Sequence, residues 1–123
     1  MKLGKKISGG RYVARRKKKK YELAKAPRVV KINETKRKAM KGKGGKKKQV
    51  LLSCNKANII GKDKKAKIVE IKNVIETSAN RFWARQNRLV KGAIIETDLG
   101  KAKITNRPGQ EGSINAILIA DKE

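Results

Sequence analysis

The chain has 123 residues and carries 35 lysines and arginines against 10 acids, a formal net charge of +25 at pH 7. This length allows one small domain with an extension, and no apolar run is long enough for a membrane-spanning helix. A single cysteine, Cys54, and no histidine exclude an internal disulfide and a cysteine/histidine zinc site within one chain. The charge indicates a polyanionic partner, for which nucleic acid is the first choice and an anionic membrane surface the rival.

Positive charge is concentrated in the first 48 residues, which hold 21 lysines and arginines against two acids. Such a segment cannot bury enough apolar surface to offset the entropy of ordering its backbone. We therefore predict a basic, largely extended RNA-binding arm over residues 1–48, with a candidate short strand near residues 28–32. A body over residues 49–123 follows. The N-terminus lacks the apolar segment of a signal peptide, which favours a cytoplasmic location.

Within the arm, the six adjacent cations from Arg15 to Lys20 would repel one another in water but release counterions beside phosphates. Two tyrosines flank this run and could stack on exposed bases. A solvated tail without a partner is the alternative. The candidate RNA-binding residues of the arm are Arg11, Tyr12, Arg15, Arg16, Lys17, Lys18, Lys19, Lys20, Tyr21, Arg28, Lys31, Lys43, Lys46, Lys47 and Lys48.

The glycine-rich stretch over residues 42–48 superficially resembles a phosphate-binding P-loop. A P-loop requires Ser or Thr directly after its lysine and a helix behind it. Here Lys47 follows Lys46, and a strand-like run comes next. We interpret the stretch instead as backbone that comes close to nucleic-acid phosphates.

Short strands linked by tight turns dominate the body. We expect Val50, Leu52 and Cys54 on one inward face, and a second strand over residues 67–75 with Val69, Ile71 and Ile75 in register. Cys54 is interpreted as a small core residue. A turn is expected over residues 61–64.

Further strands are predicted over residues 93–97, 101–105 and 113–120, the last with both faces covered. Gly100 suits the left-handed position of the hairpin loop, and Pro108-Gly109 suits a tight turn. At least five short strands with almost no helix predict a mainly β fold, a small antiparallel β-barrel with a long basic N-terminal extension.

Residues 81–88 interleave three arginines with Phe82 and Trp83, the only phenylalanine and the only tryptophan. Guanidinium groups and aromatic rings both stack on bases, so this pattern is typical of nucleic-acid surfaces. For the two rings we favour closure of the core, with base stacking as the alternative. The candidate RNA-binding residues of the body are Arg81, Arg85, Arg88, Lys91 and Arg107.

Nothing in the sequence favours catalysis. There is no histidine, and no serine or cysteine has a partner base. Glu96 and Asp98 flank a hairpin and are interpreted as solvated turn acids. We predict a non-enzymatic protein without a cofactor, a metal site or a small-molecule substrate.

Several blocks occur in the order of a known family: Ser8–Arg11, Arg16–Leu23, Gly44–Lys47, Ala79–Arg81, Lys91–Gly100 and Arg107–Gln110. Across essentially its whole length the chain resembles the small-subunit ribosomal protein S8e family of archaea and eukaryotes. The resemblance implies a β-barrel body and a basic arm. It also implies a structural role in translation, on small-subunit ribosomal RNA beside neighbouring ribosomal proteins.

Some details place this chain within that family, and others depart from its pattern. The tight hairpin over residues 95–104 resembles the archaeal length form, because the eukaryotic versions carry a long insertion there. Ala24, Lys43 and Asn106 stand where the family usually has Gly, Arg and Ser. A phosphate contact that depends on the arginine fork is not expected of Lys43.

The resulting hypothesis is a structural, rRNA-binding constituent of the small ribosomal subunit. A DNA-compacting chromatin-type protein is the alternative, and it should bind duplex DNA as well as it binds folded ribosomal RNA. A peripheral membrane binder would need an amphipathic helix with a large apolar face, and the basic stretch contains none.

Overall fold

Five strands close into a barrel in a computed structural model that describes residues 4–13, 16–24, 26–61 and 64–119. In barrel order they are β3 Lys56–Ile60, β4 Ala66–Glu76, β5 Ile94–Thr97, β6 Gly100–Ile104 and β7 Asn115–Leu118. Neighbouring strands are antiparallel except β3 and β7, whose parallel pairing, with Ile60 opposite Ile117, closes the barrel. The predicted β-barrel is therefore confirmed.

An antiparallel hairpin of β1, Lys36–Lys41, and β2, Lys47–Ser53, precedes the barrel in the chain. A 3-10 turn at Lys43–Gly45 joins the two strands, and Gly44 and Gly45 adopt φ angles of 67° and 75°. Glycine reaches this left-handed region without the steric cost that other residues meet. The boundary drawn between residues 48 and 49 falls inside β2, so the predicted arm includes all of β1.

The core lies inside the barrel and extends beneath the hairpin. Inward positions of the barrel strands supply Ala57, Ile59, Ile95 and Ile104 among others. Fully buried residues also come from outside the barrel strands, among them Val30, Leu51 and Leu89. Val30 belongs to the predicted arm, so the basic segment contributes to the core.

The inward face predicted for β2 was partly wrong. Leu51 is fully buried, whereas Leu52 is 40% exposed. Val50 and Leu51 are buried side by side, because the 107–112 turn also covers this strand; the Leu51 amide donates to Pro108 O and Glu111 O at 3.3 and 3.2 Å. Cys54 is buried as predicted, and its thiol donates to Lys56 O at 3.1 Å.

In β4 and β7 the predicted faces also need correction. Register shifts follow Ile71 and Val74 in the pairing of β4 with β5, so Val74 is buried and Ile75 is exposed. An extra residue in a strand turns the side chains beyond it to the opposite face. In β7 only one face is covered, since Ile114 and Ala116 are buried while Ile117 is exposed.

The turns agree more closely with the prediction from sequence than the strand faces do. Asp98 and Leu99 form the loop between β5 and β6, and Gly100 has a φ of 112°, as its position predicted. At the Pro108-Gly109 turn the Gln110 amide donates to Arg107 O at 2.9 Å. The predicted 61–64 turn lies partly outside the described residues.

The one α-helix of the described residues is α1, Arg81–Arg85, where the Asn80 side chain caps the Phe82 amide at 2.9 Å. In the described part of the chain, no helix has the length and apolar character that a membrane crossing requires.

Candidate nucleic-acid interface

Residues 26–32 run across the barrel and attach the basic arm to it. The Leu89 amide donates to Val30 O at 2.9 Å, and the Cys54 amide donates to Lys31 O at 3.2 Å. Lys31 forms isolated bridges with Ser53 on one side and Arg88 on the other. The segment is therefore held between the end of β2 and the 87–89 loop by single bridges, with Val30 buried below it.

Arg28 lies on this segment and joins two other parts of the fold. Its Nη1 donates to Gly109 O at 2.8 Å, and its Nη2 approaches Met40 Sδ at 3.0 Å. A Cβ atom on Gly109 would lie 3.2 Å from Arg28 O, so the turn packs closely against the arm because Gly109 has no side chain. Arg28 thereby links β1 to the turn that begins at Arg107.

Three clefts share Pro27 and Arg28 in their walls, and we call them the Pro27 clefts. The first, of about 270 Å³, also includes Lys91 and Arg107. The second, of about 220 Å³, includes Met40 and Lys48. The third, of about 240 Å³, includes Trp83 and Arg88. The fold therefore brings together five candidate residues that are far apart in sequence: Arg28, Lys48, Arg88, Lys91 and Arg107.

Arg88 is the least exposed of these cations. Its Cζ lies 5.3 Å from the centroid of the Trp83 ring, which is a cation–π distance. Its Nε is buried and has no hydrogen-bond partner among the described residues. The core role favoured for the aromatic pair is wrong for Phe82, which is 63% exposed, and Trp83 is half-buried at the cleft wall. One helical turn is too short to bury both rings.

Arg81 and Arg85 lie away from the Pro27 clefts. Both are exposed on α1, and Arg81 lines a separate cleft of about 480 Å³ whose walls include Glu76 and Ser78. The interleaved arginine pattern therefore divides between two surfaces. Only its last member, Arg88, faces the arm.

The remaining candidate residues of the arm lie on its surface. Every described residue up to Ala24 is exposed, including Arg11 and the run Lys17–Lys20. Tyr12 and Tyr21 are 55% and 76% exposed, and Lys6 Nζ lies 5.7 Å from the Tyr12 ring centroid. Arg15 lies outside the described residues.

Arg16 is engaged by one of the arm's two acids. Its guanidinium donates to both carboxylate oxygens of Glu22, at 2.9 and 2.6 Å. The Lys19 amide donates to the same carboxylate at 2.9 Å. These bonds, the one from Arg16 first, lower the pKa of Glu22 below its ordinary value. Arg16 is therefore already paired with Glu22 when a phosphate approaches it.

The β1–β2 hairpin extends the cationic surface beyond the residues predicted from sequence. Candidate residues Lys43, Lys46, Lys47 and Lys48 are exposed on it, as is Lys31 beside it. The pairing also places Lys41 opposite Lys47, and it includes further exposed cations that the sequence prediction did not select. The signal was present as charge density, but only a largely extended arm over residues 1–48 was predicted, with no strand in it beyond residue 32. The missed residues are Lys36, Arg37, Lys38 and Lys41.

The two acids of the β5–β6 hairpin are exposed, but only Asp98 lies in the turn, since Glu96 is part of β5. Asp98 pairs with Lys72 at 2.9 Å, and this contact raises the pKa of Lys72 above its ordinary value. Both side chains are largely exposed. Among the residues that the structure describes, no three acidic or cysteine side chains come together as ligands for a metal ion.

Comparisons with known proteins cover nearly the whole chain. A model of the family described as ribosomal protein S8e matches residues 2–119. Small ribosomal subunit protein eS8 of Methanosarcina barkeri is 43% identical over 93% of this chain and 92% of its own length. The eS8 proteins of Methanocorpusculum labreanum and Methanobrevibacter smithii are 45% and 43% identical, over 93% and 91% of this chain and 92% and 90% of their own lengths.

Proposed function

This chain belongs to the ribosomal protein S8e family, and on that premise we propose that it is a structural constituent of the small ribosomal subunit that binds and stabilises ribosomal RNA. The observation that carries the proposal is the family match over residues 2–119. Its archaeal relatives are named as small ribosomal subunit proteins. The role is structural rather than enzymatic, supports translation, and implies a cytoplasmic ribosome with neighbouring ribosomal proteins as partners.

The arm neutralises phosphates and draws RNA segments together. Its described residues up to Ala24 are exposed, so their cations are accessible without unfolding any core. Each lysine or arginine that neutralises a phosphate releases a condensed counterion, and this release drives binding. Tyr12 and Tyr21 stack on unpaired bases, because an exposed ring offers a face to any base.

The barrel positions the RNA through the cations around the Pro27 clefts. Arg28 and Arg107 have planar forks that match phosphate geometry with two parallel hydrogen bonds. Lys48 and Lys91 add point charges on the same surface. Contacts of this kind fix the register of RNA on the protein, while recognition comes from the shape of the folded RNA.

The attachment of residues 26–32 couples the basic arm to the barrel. Val30 is fully buried and its carbonyl is bonded to the 87–89 loop, so the base of the arm is fixed on the barrel. RNA held by the arm is therefore held in a set direction relative to the Pro27 clefts.

Salt dependence of RNA binding tests this function. A folded fragment of small-subunit ribosomal RNA is titrated with the full chain over a series of salt concentrations. Neutralisation of about ten phosphates predicts a slope of log affinity against log salt of roughly −7 to −9. A slope shallower than about −3 would contradict the role of the arm. Duplex DNA of equal length is the competitor, and equal affinity for it would favour the DNA-compacting alternative.

A further inference from the structure

The third Pro27 cleft differs from the other two in the chemistry of its walls. Pro27, Val30, Trp83 and Val90 give it apolar surface, and Arg28 and Arg88 are its charged residues. None of the described residues that line this cleft is an acid. The indole ring of Trp83 offers a flat face that suits a planar ligand, and the saturated ring of Pro27 adds apolar surface beside it.

Every polar side chain in the described walls of this cleft is a hydrogen-bond donor. Arginine has five N–H donors and no acceptor, and the tryptophan indole has one N–H. The third cleft therefore matches a ligand that brings acceptors and negative charge, and its described side chains offer no hydrogen-bond acceptor to a cationic one.

One of these donors lacks an acceptor. Arg88 Nε is buried without a hydrogen-bond partner among the described residues, although its guanidinium lies over Trp83. Buried N–H groups in folded proteins are nearly always paired, and an orphaned one calls for an explanation. Arg88 also lines the third Pro27 cleft, so an acceptor that enters beside Trp83 meets its guanidinium group.

We propose that the third Pro27 cleft is a pocket for one unpaired RNA nucleotide, whose base lies against Trp83 and Pro27 and accepts from Arg88. The preferred base is guanine, because its O6 and N7 are adjacent acceptors that fit an arginine fork. The nucleotide phosphate lies on the side of Arg28. This inference rests on the proposed function, since it names a site within the same RNA interface.

The chain provides its own probe, because Trp83 is its only tryptophan. The full chain is titrated with four versions of one RNA stem-loop. One has a single unpaired guanosine in the stem, one an unpaired adenosine, one an abasic nucleotide at that position, and one is fully paired. Affinity and tryptophan fluorescence are both recorded at a fixed salt concentration.

The unpaired guanosine should bind at least about fivefold more tightly than the abasic version and should quench Trp83 most strongly, since stacking on one base favours binding by that factor or more. Arg88→Met should abolish the preference for guanosine. Lys67→Met is the control, because it also removes one positive charge, from an exposed residue outside the cleft, and should keep the preference.

Equal affinity for all four RNAs, with no base-dependent change in Trp83 fluorescence, would overturn the pocket. This result needs no variant, so a folding defect of Arg88→Met cannot obscure it. It would assign the cleft to another occupant, such as an acidic side chain of a neighbouring protein. Binding to the fully paired stem-loop with a steep salt dependence would still support the proposed function, whereas failure to bind any RNA would contradict both.

Discussion

Arg28 is the residue in which the arm, the hairpin and the barrel meet. Its guanidinium bonds to Gly109 O and approaches Met40 Sδ, and its side chain lines all three Pro27 clefts. Two of its five N–H donors are used in these contacts, which leaves donors for a phosphate. A planar fork can serve the turn and the RNA together, whereas a lysine ammonium cannot keep this geometry.

Arg28→Lys should therefore weaken RNA binding by about tenfold at constant net charge, because a charge-assisted, two-bond contact is replaced by a point charge. Fluorescence anisotropy with a small-subunit RNA fragment measures the change. Arg37→Lys on β1 is the control, since Arg37 is exposed and lines none of the three clefts. Equal effects of the two substitutions would contradict a special role for Arg28.

The ion pair with Glu22 limits how readily Arg16 can bind a phosphate. Because bonding lowers the pKa of Glu22, its ion pair is complete above the ordinary carboxyl pKa and is broken as pH falls through the lowered value. RNA binding must displace the carboxylate from Arg16. Glu22→Gln should therefore raise RNA affinity several-fold at neutral pH, through one freed contact and one fewer repelled phosphate.

The matched control for Glu22→Gln is Glu34→Gln, which removes the arm's other acid with the same change in charge. It should raise affinity less, because no guanidinium pair is released. An NMR titration of the Glu22 carboxyl provides the second measurement. An ordinary pKa there, or equal gains from the two variants, would show that the ion pair does not restrain Arg16.

At the scale of elements, Val30 is the apolar anchor of an otherwise exposed arm. It is 1% exposed, while its neighbour Val29 is 43% exposed. Val30→Ala should lower the free energy of unfolding by about 1–3 kcal/mol, because less apolar surface is buried and a cavity remains. Val29→Ala should change it by less than about 0.5 kcal/mol. Urea denaturation of both variants measures the difference.

Val30→Ala should also weaken RNA binding, because the base of the arm would no longer be fixed beside the Pro27 clefts. If this variant is destabilised but binds RNA as the parent chain does, the attachment serves folding alone. If it matches Val29→Ala in stability, the segment does not belong to the core.

The sequence predicts the β5–β6 hairpin well because its determinants are local. Alternation over residues 101–104 and a glycine at the loop are enough to set that hairpin. The burial of Val74 instead of Ile75 could not be predicted, because a register shift depends on the partner strand. Val50 and Leu51 are both buried because a distant turn covers β2, which its own sequence does not reveal.

The candidate interface was predictable in composition but not in arrangement. Charge density identified the arm, and single arginines were selected in the body. Their convergence on Pro27 depends on hydrogen bonds such as that between Val30 and Leu89, which are far apart in the chain. Strand β1 was not predicted, because a cation-rich sequence that suits an RNA surface is also typical of an unstructured tail.

At the scale of the whole molecule, the cations of residues 1–24 lie apart from the buried core that stabilises the fold. Residues 1–24 contain ten lysines and arginines, and every described residue among them is exposed. Deleting residues 1–24 should therefore leave the melting temperature unchanged within error. The salt slope of RNA binding should become shallower by about 0.7–0.9 for each phosphate that the shortened chain no longer neutralises. Calorimetry measures the melting temperature, and a salt titration of RNA binding measures the slope.

A deletion variant with a much lower melting temperature would show that this part of the arm packs on the barrel. A variant with an unchanged slope would assign the phosphate contacts to the hairpin and the Pro27 clefts. The cut precedes Val30, so the anchor and β1 remain in the variant.

The central claim, a structural place in the small ribosomal subunit, is tested most directly by sedimentation. Native cell lysate is washed at high salt and separated on a sucrose gradient, and the protein is followed by blotting. Membership of the S8e family together with a basic, anchored arm predicts that it remains with the small subunit after the wash. Release into the light fractions, or sedimentation with DNA, would contradict the account.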